Sequence, residues 1–258
     1  MRRHHWTDRE LALLEEKIER TNLVCGIDEV GRGPLAGPVL SCAIIMPKGK
    51  KIEGVRDSKK LAEKKREALY PLILQQALAW GIGQCGERTI DRINIRQASL
   101  LSMKKALENL HDHEGRFLQP DLLLVDAERI QTEIPQISLV HGDDLIYVIS
   151  CASIVAKVSR DRIMKAYAKT YPLYGFEKHK GYGTKAHLEA IKSFGILPLH
   201  RRTFIHEKGM IRNGKEDGKK REQGEPAENE RKNKDESLPK DGEGKGGLGG
   251  ANCSKLLS

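Results

Sequence analysis

Aromatic residues make up only 5% of the 258-residue chain, and no apolar run approaches the roughly 18 to 20 residues that a bilayer span requires. That scarcity argues against a membrane protein. The opening Met1-Arg2-Arg3-His4-His5-Trp6 also lacks the apolar stretch of a signal peptide, so the expected compartment is the cytoplasm. Cysteine is sparse as well: Cys25, Cys42, Cys85, Cys151 and Cys253 are odd in number, scattered and without a C-x-x-C pair. Neither a disulfide framework nor a zinc site is indicated, and most of them read as small buried apolar residues.

Acidic residues are outnumbered, 36 against 45 basic ones, a formal charge of +9. Its placement matters more than its total, because a field that attracts nucleic acid must sit on folded structure. Residues 207–258 hold 12 Lys plus Arg and 11 Asp plus Glu, leaving 33 basic and 25 acidic residues, a net of +8, on residues 1–206. The tail is rich in Gly, Lys, Glu, Asn and Asp, ends in Gly246-Gly247-Leu248-Gly249-Gly250, and has too few apolar groups to offset its ordering entropy. It is expected to be a disordered, nearly charge-balanced appendage.

Three parts are therefore predicted: a short N-terminal helical extension over residues 1–22, one α/β domain over 23–206, and the tail. Thr7 followed by Asp8-Arg9-Glu10-Leu11 starts a helix over residues 7–20. Leu23-Val24-Cys25-Gly26-Ile27-Asp28 and Val39 to Met46 read as strands joined by a Gly/Pro-rich turn, hence a hairpin. Residues 61–77 read as a helix kinked or interrupted by Pro71, and Leu78 to Gln84 as a third strand. Glu87 to Leu110 has helical rhythm with a break near Asn94. Asp121-Leu122-Leu123-Leu124-Val125-Asp126 is a continuous apolar run of the kind that forms a central strand covered on both faces. Ile137 to Val140 makes a brief strand, Gly142-Asp143 a turn, and residues 144–168 a long helix.

Acids stand at three strand or turn ends: Asp28 and Glu29, Asp126, and Asp143. Gathered at adjacent strand ends, such carboxylates repel unless cations sit among them, and all-oxygen ligands suit Mg²⁺ or Mn²⁺. Paired ions suit phosphodiester hydrolysis, one helping to generate the attacking hydroxide and the other stabilising the leaving 3′ oxygen. Taken singly, each acid has a plainer explanation, a helix cap for Asp143 and a strand-ending turn for Asp28 or Asp126. Asp144 and Asp161 compete for the fourth place, but Asp161 has a sufficient explanation in a local ion pair with Arg160 or Arg162.

The run Asp28-Glu29-Val30-Gly31-Arg32-Gly33-Pro34-Leu35-Ala36-Gly37-Pro38 resembles the signature of type 2 ribonucleases H, the ribonuclease HII family. Asp57-Ser58-Lys59-Lys60-Leu61, Val125-Asp126-Ala127, Gly142-Asp143, Ala152-Ser153-Ile154-Val155-Ala156-Lys157-Val158, Arg160-Asp161-Arg162 and His179-Lys180-Gly181-Tyr182-Gly183-Thr184 join it in order, across residues 23–204. One departure is His141, where the family pattern has a lysine. The resemblance implies an RNase H-like fold, a mixed central sheet flanked by helices with further helices toward the C-terminus. It implies a four-carboxylate site of Asp28, Glu29, Asp126 and Asp143 holding two Mn²⁺ or Mg²⁺ ions when substrate is bound. Gly31, Arg32 and Gly33 would inspect the ribose 2′-hydroxyl, and Tyr182 would pack on the sugar beyond the scissile phosphate, although a turn tyrosine on a basic surface is its plainer reading. Ser153 and the lysines Lys59, Lys60, Lys157, Lys178 and Lys180 complete the implied substrate contacts, although a solvated surface is the plainer reading of any one lysine; His179 either joins them or is a plain exposed histidine.

The implied activity is endonucleolytic hydrolysis of RNA in RNA/DNA hybrids and cutting 5′ to a ribonucleotide embedded in duplex DNA. Only about 22 residues precede the first strand, which favours type 2 over the type 3 enzymes with their N-terminal substrate-binding domain. No obligate protein partner is evident. Two other classes remain open on the residues alone: a basic nucleic-acid-binding protein with structural acids, and a DNA-only nuclease such as a junction resolvase.

Overall fold

A computed structural model of the chain describes residues 6–49 and 51–207, so the tail expected to be disordered lies outside the described residues except for Glu207. The described residues fall within one unit of the chain. Helix α1 (Asp8–Arg20) starts as its sequence predicts: Thr7 Oγ1 accepts the Glu10 N–H, and Glu10 returns a carboxylate to the Thr7 N–H at 2.8 Å. Strands β1 (Val24–Val30) and β2 (Val39–Ile45) follow, then α2 (Glu63–Gln76), β3 (Ala79–Cys85) and α3 (Glu87–Glu108). The chain continues through β4 (Leu122–Asp126), β5 (Gln136–Leu139), α4 (Gly142–Leu145) and α5 (Tyr147–Thr170). Short helices α6 (Phe176–His179), α7 (Lys185–Phe194) and α8 (Arg202–Glu207) close it.

The sheet runs β3-β2-β1-β4-β5, with β1 antiparallel to β2, β2 antiparallel to β3, and both β1–β4 and β4–β5 parallel. The predicted hairpin and the predicted mixed sheet are both present. Alternation along each strand divides the side chains between two layers. Leu40, Cys42 and Ile44 of β2 and Leu122 and Leu124 of β4 pack with Ile149, Ala152 and Val155 of α5 and Leu69 and Ile73 of α2. Cys25 and Ile27, Ala43 and Ile45, and Leu123 and Val125 pack on the other face with Met103, Ala106 and Leu110. Each face is covered, which is why the β4 run is apolar at successive positions.

Gly26 lies where α5 crosses β1, and a Cβ there would stand 2.5 Å from the Val148 backbone carbonyl. The absent side chain lets the start of α5 approach the strand that ends in Asp28.

Of the two outcomes expected at Pro71, interruption does not occur, since the residue sits inside α2. One sequence expectation needs revision. The long helix does not begin at residue 144: α4 is a separate turn holding Asp143, Ile146 is extended, and α5 begins at Tyr147. The break near Asn94 is present, with Asn94 at φ 65° inside α3.

Candidate active site

Parallel pairing places Ile27 beside Val125, so the next residues, Asp28 within β1 and Asp126 at the end of β4, come to neighbouring positions. Alternation puts Asp28 on the α5 face with Gly26, and Asp126 on the same face with Leu122 and Leu124. Asp143 reaches them from α4, whose Gly142 N–H donates to Asp126 Oδ1 at 2.8 Å. Glu29 falls on the opposite face of β1, where Arg32 Nη1 lies 3.5 Å from its Oε1.

Burial and mutual repulsion both act on these acids. Asp28 is 4% exposed, and burial raises its pKa well above the ordinary carboxylate value, with Glu29, Asp126 and Asp143 each adding to the shift and a Ser153 hydrogen bond opposing it. Burial also pushes Glu29 up to about 7 against the pull of Arg32. Asp126 is raised by burial and then by Asp143. Burial works against the charge of Lys59, but its hydrogen bond to Asp143 Oδ2 at 2.9 Å, together with the charges of Asp143, Asp28 and Asp57, raises the ammonium's pKa.

The donor set is all oxygen and suits a hard divalent cation. Glu29 Oε2 is buried with no hydrogen-bond partner, an orphan acceptor of the sort a cation would satisfy. Among the described residues no three His, Cys, Asp or Glu side chains are drawn together tightly enough to grip one ion as they stand. The acids do not close on a point, and the Lys59 ammonium is held by Asp143.

Beside the acids, Gly31 has φ +94°, a left-handed conformation that glycine adopts without strain, and a Cβ there would strike Arg160. Gly33 is open toward the Tyr182 ring, whose Cε1 lies 3.7 Å from where a Cβ would stand. The Leu35 N–H donates to the Gly181 carbonyl at 2.8 Å, joining the two loops, and Tyr182 is 41% exposed above them. Gly31, Arg32, Gly33 and Tyr182 are thus brought together.

The remaining candidates divide. Lys60 Nζ pairs with Asp144 at 2.6 Å at the rim of the acids. Ser153 Oγ shares a 2.8 Å hydrogen bond with Ser58 Oγ and supports Asp28 from α5, buried beneath the site. Lys157 points to Asp161 at 2.7 Å, and burial lowers its pKa against that pairing. Lys180 is only 7% exposed, and its ammonium meets the Glu177 carbonyl and Glu63. Asp161 pairs with Lys157 and Arg66 rather than with Arg160 or Arg162. His179 is half-buried and stacks on His187 at 4.4 Å between centroids.

Sequence reasoning missed Glu128, which holds Arg32 at 3.2 Å and Arg96 at 3.5 Å from the strained turn after β4. No periodicity marks it; its position two residues beyond Asp126 was the only signal. It also missed two buried arginines. Arg160 donates to the carbonyls of Pro38, Ala36 and Lys180, and Arg201 to those of Gly31, Arg32 and Gly37.

The family model described as Ribonuclease HII matches residues 25–207. A ribonuclease HII of Bacillus cytotoxicus is 50% identical over 206 residues, covering 79% of this chain and 77% of that protein. The ribonuclease H2 structure from Pyrococcus horikoshii OT3 aligns with TM-score 0.61 and 25% identity over 73% of this chain and 97% of its own. Bst-RNase HIII in complex with Mn²⁺ shares the fold with TM-score 0.54 and 17% identity, covering 74% of this chain and 69% of its own. With the family matched across the sheet, the acids and the Gly31 to Tyr182 loops, the chain belongs to the ribonuclease HII family, metal-dependent nucleases that hydrolyse phosphodiester bonds of RNA in RNA/DNA hybrids.

Proposed function

We propose that this ribonuclease also cuts duplex DNA on the 5′ side of a single embedded ribonucleotide, leaving 5′-phosphate and 3′-hydroxyl ends, in ribonucleotide excision and RNA primer removal in the cytoplasm. The work is assigned to residues 23–206. One observation carries the reading: parallel β1 and β4 set Asp28 beside Asp126, the Gly142 amide bound to Asp126 brings Asp143 toward them, and Glu29 Oε2 is buried without a hydrogen-bond partner. So many carboxylates in low dielectric are tolerable when cations neutralise them.

Asp28, Glu29, Asp126 and Asp143 would hold two divalent ions, Mn²⁺ or Mg²⁺, and the Mn²⁺ in the RNase HIII relative supports that choice. When bound, the ions supply Lewis acidity at the scissile phosphate. The chain's own groups do the rest. Lys59 holds the Asp143 carboxylate, and the Gly142 amide holds that of Asp126. Gly31, Arg32 and Gly33 bring backbone donors and acceptors close to the sugar, where a 2′-hydroxyl both gives and takes a hydrogen bond. Tyr182 offers a ring face to the deoxyribose beyond the cut. Lys60 and Lys178 lie at the surface to meet phosphates; Lys157 and Lys180, paired inside, support the loops that carry the site.

The test is a labelled DNA duplex with one ribonucleotide, incubated with Mn²⁺ or Mg²⁺. Cutting 5′ to the ribonucleotide is expected. An intact strand under both metals, or equal cutting of the all-deoxy duplex, would overturn the proposal.

A further inference from the structure

Behind the loops assigned to the substrate, three segments are stitched by backbone. The Gly37 N–H donates to the Leu199 carbonyl at 2.9 Å, and the Arg201 N–H to the Leu35 carbonyl at 2.8 Å. With the Leu35 to Gly181 bond, residues 35–37 are tied to both 181 and 199–201. These bonds stop short of Gly31, Arg32 and Tyr182. Two adjacent side chains extend the ties to those residues, Arg201 directly and His200 through His187.

Arg201, 0% exposed, spreads its guanidinium over three carbonyls: Arg32 at 2.9 Å, Gly31 at 2.6 Å and Gly37 at 2.8 Å. A planar fork of donors can serve several acceptors at once, which an ammonium cannot match. Its neighbour works in the other direction. His200 Nδ1 accepts the Leu197 N–H at 2.8 Å, so in the neutral ring its proton is on Nε2. Among the described residues the acceptor for that proton is His187 Nε2, 3.1 Å away. His187 therefore carries its own proton on Nδ1 and donates it to the Tyr182 carbonyl at 2.9 Å. The tautomers are fixed one after another, and every ring nitrogen in the chain is satisfied. His179 stacks on His187 and accepts the Gly181 N–H through Nδ1, closing the loop from the other side.

We propose that the His200–Arg201 dipeptide is a positioning device that locks the Gly31–Arg32 turn and the Tyr182 loop in one relative placement, and thereby gives the enzyme a preference for an isolated ribonucleotide over a continuous hybrid. The inference rests on the reading of those loops given above. Arg201 holds the turn that meets the 2′-hydroxyl; His200, through His187, holds the ring that meets the next sugar. A substrate with RNA on one side and DNA on the other must satisfy both at a fixed spacing.

The experiment compares kcat/KM on the single-ribonucleotide duplex with kcat/KM on a continuous RNA/DNA hybrid, for the full chain and its variants. The ratio cancels the folded fraction, so partial unfolding alone does not move it. Tyr182→Ala is expected to lose the preference. His187→Leu, which removes the donor to the Tyr182 carbonyl, should reduce it about tenfold, the scale of one hydrogen bond. His187→Asn places an amide donor near the Nδ1 position and should restore it. Arg201→Lys should lower it too, and serves in place of His187→Leu if that variant does not fold. If Tyr182→Ala keeps the wild-type ratio, the reading of the loop and the positioning role fall together. If Tyr182→Ala loses it while His187→Leu and Arg201→Lys keep it, the reading stands and the positioning role is overturned.

Discussion

His187 and His200 are bases held neutral by their surroundings. Burial lowers each from the ordinary 6.5 to about 4. The unfolded chain takes up these protons near 6.5 while the folded chain refuses them until about 4. Their contribution to stability is thus complete above 6.5 and lost progressively as pH falls toward 4, at about 1.4 kcal/mol per unit of separation for each group at most. Urea unfolding should show the wild type losing more stability between about pH 7.5 and about pH 5 than His200→Asn, which removes one titrating ring. Equal losses in the two proteins would mean the histidines do not titrate as described. None of this was visible in the sequence, because His187 and His200 are thirteen positions apart without a ligand-like spacing. The lysines misled for the opposite reason. A lysine within a basic string reads as a phosphate contact, yet Lys157 and Lys180 are turned inward to Asp161, Glu177 and Glu63. Long side chains bury their stems and find partners that local sequence does not name.

Strands were easier to read than the short helices. The apolar runs of β1 and β4 each led into an acid, and the continuous run of β4 also marked it as a central strand covered on both faces. The separation of α4 from α5 was not legible, since Gly142 to Leu145 and the residues after it share one helical rhythm, and only the extended Ile146 divides them. Pro71 gave a breaking signal that the packing of Leu69, Tyr70 and Ile73 overrides. Gly26 is where β1 and α5 set each other's position. Gly26→Ala is expected to destabilise the protein by about 1 to 3 kcal/mol, because its methyl group would press on the Val148 backbone, which cannot rotate away as a side chain can. It should also lower activity beyond the loss of folded protein, since the same contact sets the distance from Asp28 to the helix bearing Ser153. Denaturant midpoints and rates per folded molecule check both statements, and a neutral Gly26→Ala would show that α5 can retreat freely.

Three separate stretches of chain bring acids to one end of the sheet: the β1 end, the β4 end and the turn of α4. That convergence follows from topology, with β1 and β4 parallel and adjacent, and it is the part of the site that sequence alone made legible through acids at strand ends. The clamps that hold the surrounding loops were not legible, because Arg160 and Arg201 bind carbonyls, which leave no trace in a sequence pattern. The basic surplus expected on residues 1–206 suits a polyanionic duplex, but only a shared cation site turns a binding surface into a nuclease. Calorimetric titration of Mn²⁺ into the wild type and into Asp28→Asn addresses that claim without any need for turnover. The account predicts saturable binding to the wild type and at least about tenfold weaker binding to Asp28→Asn, with the folded state retained. Equal Mn²⁺ affinity in the two proteins would contradict it.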